Sequence, residues 1–280
     1  MTNNWPDETA PCQSVARPSS ARGVSSEPRG ATQICSAQTS TRAGLAGQQR
    51  LKNHILAELP EAESIRILQQ MKTVALPPKR VLYQVAERIR YVYFPIDAVI
   101  SLVSVMEEGA SVEVGAVGHE GMLGVPLLLG NDTADTQART QIAGAALRMR
   151  AEMFRAEVHQ SERFKALLLR YAHGLMTQVA QTAACNRLHS VGGRLARWLL
   201  IAADRTGRND LPFTHEFIAQ MLGVRRAGVT VAAGMLSDAG MIGYTRGHIH
   251  ILDRRGLEAS ACECYEVVKN EFDLLLKPAA

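Results

Sequence analysis

The stretch from Thr214 to Ile242, THEFIAQMLGVRRAGVTVAAGMLSDAGMI, limits the possible folds of this chain more than any other. It contains two short amphipathic helical patterns that meet at Gly223, and glycine readily adopts the positive φ of a sharp turn. Ala219 lies four residues before this glycine, and Val229 lies six residues after it. A small residue, a turn glycine and an apolar residue at these intervals let two helices cross at close distance, which predicts a helix-turn-helix.

Both helices of this motif have recognisable ends and inner faces. Thr214 is a good N-cap for the first helix, and Glu216 places negative charge in its first turn. The apolar side of the first helix consists of Phe217, Ile218, Met221 and Leu222. For the second helix, the pattern predicts burial of Val229, Ala232, Ala233 and Leu236.

Two arginines, Arg225 and Arg226, stand at the start of the second helix. Positive charge is unfavourable there because of the helix dipole, so a negatively charged partner outside the chain would explain it. In helix-turn-helix proteins this end of the second helix meets the major groove, where arginine binds guanine or phosphate. The sequence therefore predicts contact with double-stranded DNA; the alternative is a domain of the same shape that makes only protein contacts.

A hairpin follows the second helix. In MIGYTRGHIHILD, two strand-like runs flank Arg246-Gly247, which suits a tight turn and predicts a wing. His248 and His250 alternate along one strand, which fits a polar wing face or, as the alternative, two metal ligands. The residues predicted to contact DNA are Thr214, His215, Arg225, Arg226, Gly228, Thr230 and Arg246.

The rest of the chain divides into segments of different composition. Residues 1–48 are rich in Ser, Thr, Ala, Gly, Gln and Pro without an apolar period, which predicts a disordered tail. Residues 51–150 begin with two short helical patterns. They continue with short β-type segments separated by Gly and Pro, which predicts an antiparallel β jelly-roll domain. The strand-like segments are RVLYQ, RYVYFP, AVISLVSVM, SVEVGAVG and RTQIAGAALRM.

The second half of the chain is predominantly helical. We predict a long dimerisation helix within 151–187, a winged helix-turn-helix domain at 188–265, and a C-terminal helix or tail at 266–280. In VGGRLARWLLIAADRTG, the inward residues of a further helix are Leu195, Trp198, Leu199 and Ala202, and Gly207 is its expected stop. The predicted fold class is therefore α+β.

The long helix, centred near 161–185, has apolar residues at intervals of three and four. These residues are Phe164, Leu167, Leu168, Tyr171, Leu175, Val179 and Thr182. Such a stripe packs on its own domain or pairs with the same helix of a second copy. We expect a homodimer, with Leu168 and Leu175 in its seam.

Composition and cysteine usage bound the remaining possibilities. The formal net charge of +4 permits a nucleic-acid partner without requiring one. The N-terminus lacks a signal-peptide pattern, and no run approaches the roughly 18 apolar residues of a membrane span, so we expect no membrane partner. The chain has no CxxC pair, which predicts reduced cysteines and no metal or cofactor. Reduced cysteines in turn favour a cytoplasmic location. The alternative is that CEC at Cys262–Cys264 forms half of a metal site. The five cysteines are Cys12, Cys35, Cys185, Cys262 and Cys264.

Enzymatic motifs find little support in this sequence. His119-Glu120 and His215-Glu216 lack the second histidine of HExxH, and the phosphate-binding and GxSxG motifs are absent. We therefore predict no catalytic residues. The alternative function is a small-molecule-binding module or enzyme built on the β domain, with the helical region as a scaffold that does not bind DNA.

Taken together, the string THEFIAQMLGV…VTVAAGML…AGMI…RGHIHILDRRGLE resembles the CRP/FNR family of bacterial transcription regulators. QTAACNRLHSVGGRLARWLL is similar to the join between the dimerisation helix and the DNA-binding domain in that family. The resemblance covers roughly residues 51–265. It implies a homodimer on a palindromic promoter site, a contact with RNA polymerase, and a cyclic-nucleotide-binding-like β domain that senses a small-molecule effector.

The DNA-reading helix departs from the family pattern. Well-studied members have an Arg-Glu pair at its start and a further Arg along it. Here Arg226 matches the first Arg, but Ala227 replaces the acidic residue and Val231 replaces the later Arg. We therefore expect a DNA sequence different from the best-known family consensus.

The effector site departs further. Family members that bind cyclic nucleotides hold the ribose with a Gly-Glu carboxylate and the phosphate with an Arg-Ser/Thr guanidinium. The corresponding candidates here are Glu120, Gly121, Arg139 and Thr140. Glu120 precedes its glycine, and the preferred register puts Thr136-Gln137 at the phosphate position, with Arg139 in the next strand. Since a buried phosphate without its arginine is costly, we expect weak or no binding of cyclic AMP, and the effector stays unidentified.

Overall fold

A computed structural model describes residues 52–275. The predicted disordered tail at 1–48 lies outside these residues. The described chain has the predicted mixed α+β class, with antiparallel strands in an N-terminal β domain and a helix-turn-helix near the C-terminus.

Two antiparallel sheets form the β domain, and neither is closed into a barrel. The first sheet has the strand order β1-β7-β3, and the second has the order β2-β6-β4-β5. The bounds of the first sheet are β1 Lys72–Leu76, β3 Tyr91–Pro95 and β7 Gly144–Arg150. The bounds of the second are β2 Val81–Tyr83, β4 Val99–Val105, β5 Ser111–Val117 and β6 Gln137–Ile142.

One predicted strand segment is wrong, and one observed strand was not predicted. RTQIAGAALRM was expected as one segment, but the chain leaves β6 at Ile142 and enters β7 of the other sheet at Gly144. At Gly144 a Cβ would lie 2.5 Å from the Ala98 backbone nitrogen, so only glycine fits at this crossing. The KTVAL segment of β1 was not predicted. The short helices around the sheets are α1 His54–Ala57, α2 Glu61–Gln69, α3 Val125–Leu128 and α4 Ala151–Gln160.

The predicted long helix is α5, Glu162–Leu188, and it is preceded by α4 rather than continuous with it. Ser161 separates the two helices and caps α5, because its side chain accepts a hydrogen bond from the Phe164 backbone N–H at 3.0 Å.

Apart from the exposed Val179, the apolar stripe predicted for the dimer seam faces the protein's own core. Leu168 is fully buried and Leu175 nearly so, in one cluster with Phe94 and Phe154. The expectation that these two leucines lie in the seam is therefore wrong. The periodicity correctly identifies an amphipathic helix, but it does not say which partner covers the apolar side.

In the C-terminal region, five elements surround the two helices of the motif, and a last helix follows them. The sheet of the wing has the order β8-β10-β9. Gly207 ends α6 with a φ of 65°, as predicted. The bounds are α6 Val191–Thr206, β8 Asp210–Leu211, α7 His215–Leu222, α8 Arg226–Asp238, β9 Ile242–Thr245, β10 His248–Ile251, α9 Arg254–Ser260 and α10 Cys264–Leu275. Among residues 52–275, no helix has the length and apolar character needed to cross a bilayer.

The winged region and the β domain share a hydrophobic core. Val99, Val103 and Ile142 of the second sheet lie in one buried cluster with residues of α6, α7 and α8. A polar contact crosses the same boundary, since the indole N–H of Trp198 donates to the buried carboxylate of Glu113 at 2.8 Å. The position of the helix-turn-helix is therefore tied to the second sheet.

Candidate DNA-binding interface

The first helix of the motif, α7, begins and ends as its sequence predicts. The hydroxyl of Thr214 accepts a hydrogen bond from the Phe217 backbone N–H at 3.2 Å. Gly223 ends the helix with a φ of 63° in the left-handed region. Thr214 thus fixes the start of α7, and the turn at Gly223 sets the direction in which the chain enters the second helix.

The second helix, α8, has one buried face and one exposed face. All four residues predicted as its core are buried, namely Val229, Ala232, Ala233 and Leu236. On the other side, Val231 is 59% exposed and Met235 is 67% exposed. The helix is thus held by its inner face and presents its outer face to solvent.

Positive charge is concentrated at the start of this exposed face. Arg225 is the N-cap residue and Arg226 the first helical residue, and both side chains are exposed. Arg246 at the wing tip is exposed as well. None of the three side chains forms a salt bridge within the described part of the chain. Three charges without a neutralising partner, on one region of the surface, are suited to bind phosphate and base edges.

The wing is folded back against the motif. Arg246 and Gly247 both have positive φ, of 46° and 87°, which is the geometry of a two-residue hairpin turn that follows strand twist. The ring of His215 contacts that of Tyr244 in β9, with 4.6 Å between centroids. Its Nδ1 lies 3.2 Å from the Thr230 hydroxyl on α8. The wing and the starts of α7 and α8 therefore form one continuous surface.

The imidazole of His215 is expected to be neutral in the free protein. Burial lowers its pKa, and the nearby charge of Arg226 lowers the pKa further. The two wing histidines, His248 and His250, have a different environment. Both Nδ1 atoms face the carboxylate of Asp210, at 3.1 and 3.2 Å, which agrees with side chains that point the same way.

All seven residues predicted to contact DNA lie on or beside this surface, and their contact with DNA stays a prediction. Gly228 offers a direct test. A Cβ built at Gly228 meets nothing within 4 Å, so the free protein has room for a methyl group. The same is true of Gly234, six residues further along α8.

We expect Gly228→Ala to stabilise the free protein and to weaken DNA binding. Replacing a helical glycine with alanine adds about 0.5–1 kcal/mol of stability. The added methyl would separate α8 from the groove and lower DNA affinity by about tenfold, or ~1.4 kcal/mol. Thermal unfolding and fluorescence anisotropy measure the two effects. Gly234→Ala is the matched control, with the same gain in stability and unchanged affinity; equal DNA affinities of the two variants would contradict the placement of Gly228 at the interface.

The turn of the motif contacts the edge of the second sheet. Gly223 lies against Val112 of β5, where an added Cβ would come within 3.0 Å of the valine Cγ2. The Gln220 side-chain amide donates to the Ser111 hydroxyl at 2.9 Å. The guanidinium of Arg139 donates to the Gln220 side-chain oxygen at 3.3 Å. Movement of this sheet edge would thus act directly on the turn that precedes α8.

The four candidate effector residues each contact a different part of the protein. Glu120 forms a buried ion pair with Arg205 of α6, at 2.8 Å. Gly121 lies against the ring of Tyr171, which leaves no space for a Cβ. Arg139 reaches the motif instead of a pocket, and Thr140 is buried in β6. The expectation of weak or absent cyclic-AMP binding stays a prediction.

One cluster of reactive side chains was not predicted from the sequence. Cys185, His189, Cys262 and Cys264 come together although they lie far apart in the chain. The available signals were the spacing of four between Cys185 and His189 at the end of one helix, and the CEC pair. Neither signal shows that the end of the long helix and the CEC pair lie close together.

The comparisons with known proteins agree with this geometry. Residues 193–260 match the Crp-like helix-turn-helix domain family. A comparison with curated protein sequences found no match.

Several solved structures have the same fold as this chain. A putative transcriptional regulator of the crp/fnr family from Eubacterium rectale is 18% identical with a TM-score of 0.57, covering 72% of this chain and 95% of its own. FixK2 from Bradyrhizobium japonicum is 13% identical with a TM-score of 0.58, and the match covers 69% of this chain and 98% of FixK2. A CRP-family transcriptional regulator from Thermus thermophilus is 22% identical with a TM-score of 0.56, and the match covers 68% of this chain and 96% of the regulator. With the domain match, these structures confirm the resemblance to the CRP/FNR family.

Proposed function

The chain is of the CRP/FNR type by its fold and by its Crp-like helix-turn-helix domain, and from this premise we propose that it is a transcription regulator that binds a palindromic DNA site as a homodimer. One observation supports this function most. The exposed arginines Arg225 and Arg226 begin a helix whose opposite face is buried, and they have no salt-bridge partner in the described chain. That arrangement suits a helix inserted in the major groove.

The side chains on the outer face of α8 suggest which DNA bases this helix reads. We assign guanine binding to Arg226, the first helical residue, and phosphate binding to Arg225 at the N-cap. Ala227 has no carboxylate to accept a hydrogen bond from cytosine, and the exposed Val231 suits contact with a thymine methyl group. The preferred site would therefore differ from the one read by family members with Arg-Glu at these positions.

The exposed face of α5 supports the dimer. Leu169, Met176 and Ala183 follow each other at intervals of seven residues, and all three are exposed. Ala180 lies between the last two on the same stripe. A stripe with this spacing, on the side of the helix opposite the buried core, is suited to pack against its own copy. The small alanines would allow the two helices to approach closely.

The contact between the turn and β5 connects the β domain to the start of α8. A signal that shifts this sheet edge would move Gly223, and with it the start of the DNA-reading helix. The signal and the contact with RNA polymerase are predictions that follow from the family resemblance. The cytoplasmic location, which rests on the cysteine usage, and the absence of catalysis, which rests on the missing enzymatic motifs, stay predictions as well.

Selection of bound oligonucleotides from a random pool tests the function. We expect the wild type to select two inverted half-sites whose centres lie about 34 Å apart, because two symmetric helices enter successive major grooves. Arg226→Ala should lose about 1–3 kcal/mol on the selected site and relax the preference at one position in each half-site.

Arg225→Ala is the matched control on the neighbouring residue. It should weaken binding about equally on all sequences and reduce the salt dependence by about one unit, because it removes a phosphate contact. An Arg226→Ala protein with unchanged affinity and an unchanged selected motif would show that α8 is not the reading helix.

A further inference from the structure

A cluster of three cysteines and one histidine lies where the long helix meets the C-terminal helix. Cys185 is in the last turn of α5, and His189 is the residue that ends it. Cys262 lies between α9 and α10, and Cys264 is the first residue of α10. The ligand atoms of these four residues all lie within 4.8 Å of one another.

Two pairs of these atoms are spaced almost as the ligands of a single tetrahedral ion are. Cys185 Sγ and Cys262 Sγ are 3.4 Å apart, and so are Cys264 Sγ and His189 Nδ1. Around zinc, with bonds of about 2.3 Å to sulfur and 2.0 Å to nitrogen, neighbouring ligand atoms are roughly 3.5–3.8 Å apart. An iron–sulfur cluster needs a wider set, because its ligands surround several metal atoms.

The histidine is oriented as a metal ligand. Its Nε2 lies 3.2 Å from a carboxylate oxygen of Glu263, which accepts a hydrogen bond in the tautomer protonated at Nε2. The lone pair of Nδ1 is then directed at the cluster. A carboxylate behind the ligating imidazole is a recurrent feature of zinc sites, because it fixes the tautomer and the ring. Gln181 adds a hydrogen bond from its side-chain amide to Cys264 Sγ, at 3.2 Å.

Two buried arginines supply positive charge beside the thiols. Arg194 and Arg197 are 6% and 4% exposed, and both interact electrostatically with Cys185. In each arginine the Nε atom is buried without a hydrogen-bond partner in the described structure. Three thiolates, a neutral imidazole and Zn²⁺ have a net charge of −1, which these guanidinium groups would neutralise.

We propose that Cys185, His189, Cys262 and Cys264 form a structural Zn²⁺ site. Binding releases the three thiol protons and fills all four positions of the tetrahedron with protein ligands, so no position stays open for catalysis. The ion joins the end of α5 to the start of α10, next to the link that leads into α6. It thereby fixes the junction between the long helix and the winged domain.

Zinc analysis of the purified full chain tests the site. The parent is Cys12→Ser with Cys35→Ser, so that every thiolate in the experiment belongs to the cluster. We expect one zinc ion per protomer in this parent, and below about a tenth of that in Cys264→Ser and in His189→Ala. His173→Ala, a histidine change on the same helix, is the control and should keep its metal.

Two further measurements separate loss of a ligand from loss of fold. His189→Cys keeps four ligands and should retain zinc. If His189 only supported the fold, a cysteine in its place would not preserve metal binding. Cobalt-substituted protein should show the strong visible absorption of a tetrahedral ion together with sulfur-to-metal charge transfer, and this signal should disappear in Cys264→Ser.

Several outcomes would overturn the site. One is a reduced parent protein that takes up no zinc or cobalt when the ion is supplied at equal concentration. A second is a Cys185–Cys262 disulfide whose reduction restores no metal binding. A third is equal metal content in His189→Ala and His173→Ala.

Discussion

Arg205→Ala is expected to lower the free energy of unfolding by about 3–5 kcal/mol. Arg205 and Glu120 form an ion pair of 2.8 Å between α6 and the β domain, and both side chains are less than a tenth exposed. Removing the guanidinium leaves the carboxylate of Glu120 buried without its counter-charge. Denaturation by urea at neutral pH measures the loss.

The surroundings of this pair add to the effect. The Arg205 guanidinium also donates to the Gln178 side-chain oxygen in α5 at 2.7 Å, and the Gly118 backbone N–H donates to Glu120 at 2.9 Å. One arginine thus connects α5, α6 and the β domain. The variant is therefore expected to loosen the contact between the winged region and the β domain as well.

A double variant is the control for the charge. Glu120→Gln with Arg205→Met removes both charges and retains much of the volume, so it should recover most of the stability lost in Arg205→Ala. If Arg205→Ala lost less than about 1 kcal/mol, the pair would behave as an exposed one.

Met176→Glu combined with Ala183→Glu is expected to yield a folded monomer with a large loss of DNA affinity. Both residues lie on the exposed stripe of α5, Met176 at 65% exposure, so the charges do not disturb the monomer's core. In a dimer they would face like charges on the partner helix. Loss of the second binding unit should reduce affinity for the proposed palindromic site by roughly 100-fold or more. Sedimentation and anisotropy measure the two effects.

Two control variants make this result specific to the stripe. Leu129→Glu charges another exposed apolar residue, 60% exposed in the β domain, and should leave dimer and affinity unchanged. Leu168→Glu should unfold the protein, because Leu168 is fully buried in the monomer's own core. A wild-type monomer at micromolar concentration, or a double variant that still dimerises, would refute the proposed seam.

The difference between Leu168 and Leu169 shows where sequence periodicity stops being informative. Adjacent residues on a helix point about 100° apart, so a broad apolar pattern contains two stripes that cannot be told apart by spacing. The structure assigns Leu168 to the core and Leu169 to solvent, because α4, α10 and strands of both sheets, β5 among them, cover only one side of α5. The sequence supports an amphipathic helix at this position, and its neighbours decide which side is free.

The effector candidates illustrate a second limit. The family motif made Glu120 and Arg139 candidates for the effector site, although the preferred register put Arg139 in the next strand. The structure pairs Glu120 with Arg205 and Arg139 with Gln220. Both partners are distant in sequence and belong to the winged region. Charge pairing of this kind depends on how the two regions pack, which no local pattern contains.

By itself the sequence determined the helix-turn-helix. The turn at Gly223, the cap at Thr214, the four core residues of α8 and the exposure of Arg225 and Arg226 all follow from interactions among residues near each other in the chain. Only the tertiary structure decided which face of α5 is free, which residue neutralises Glu120, and whether the cysteines meet. Cys185 and Cys262 are brought within 3.4 Å by the packing of α10 against α5, and contacts between distant segments are set by that packing and not by the spacing of residues.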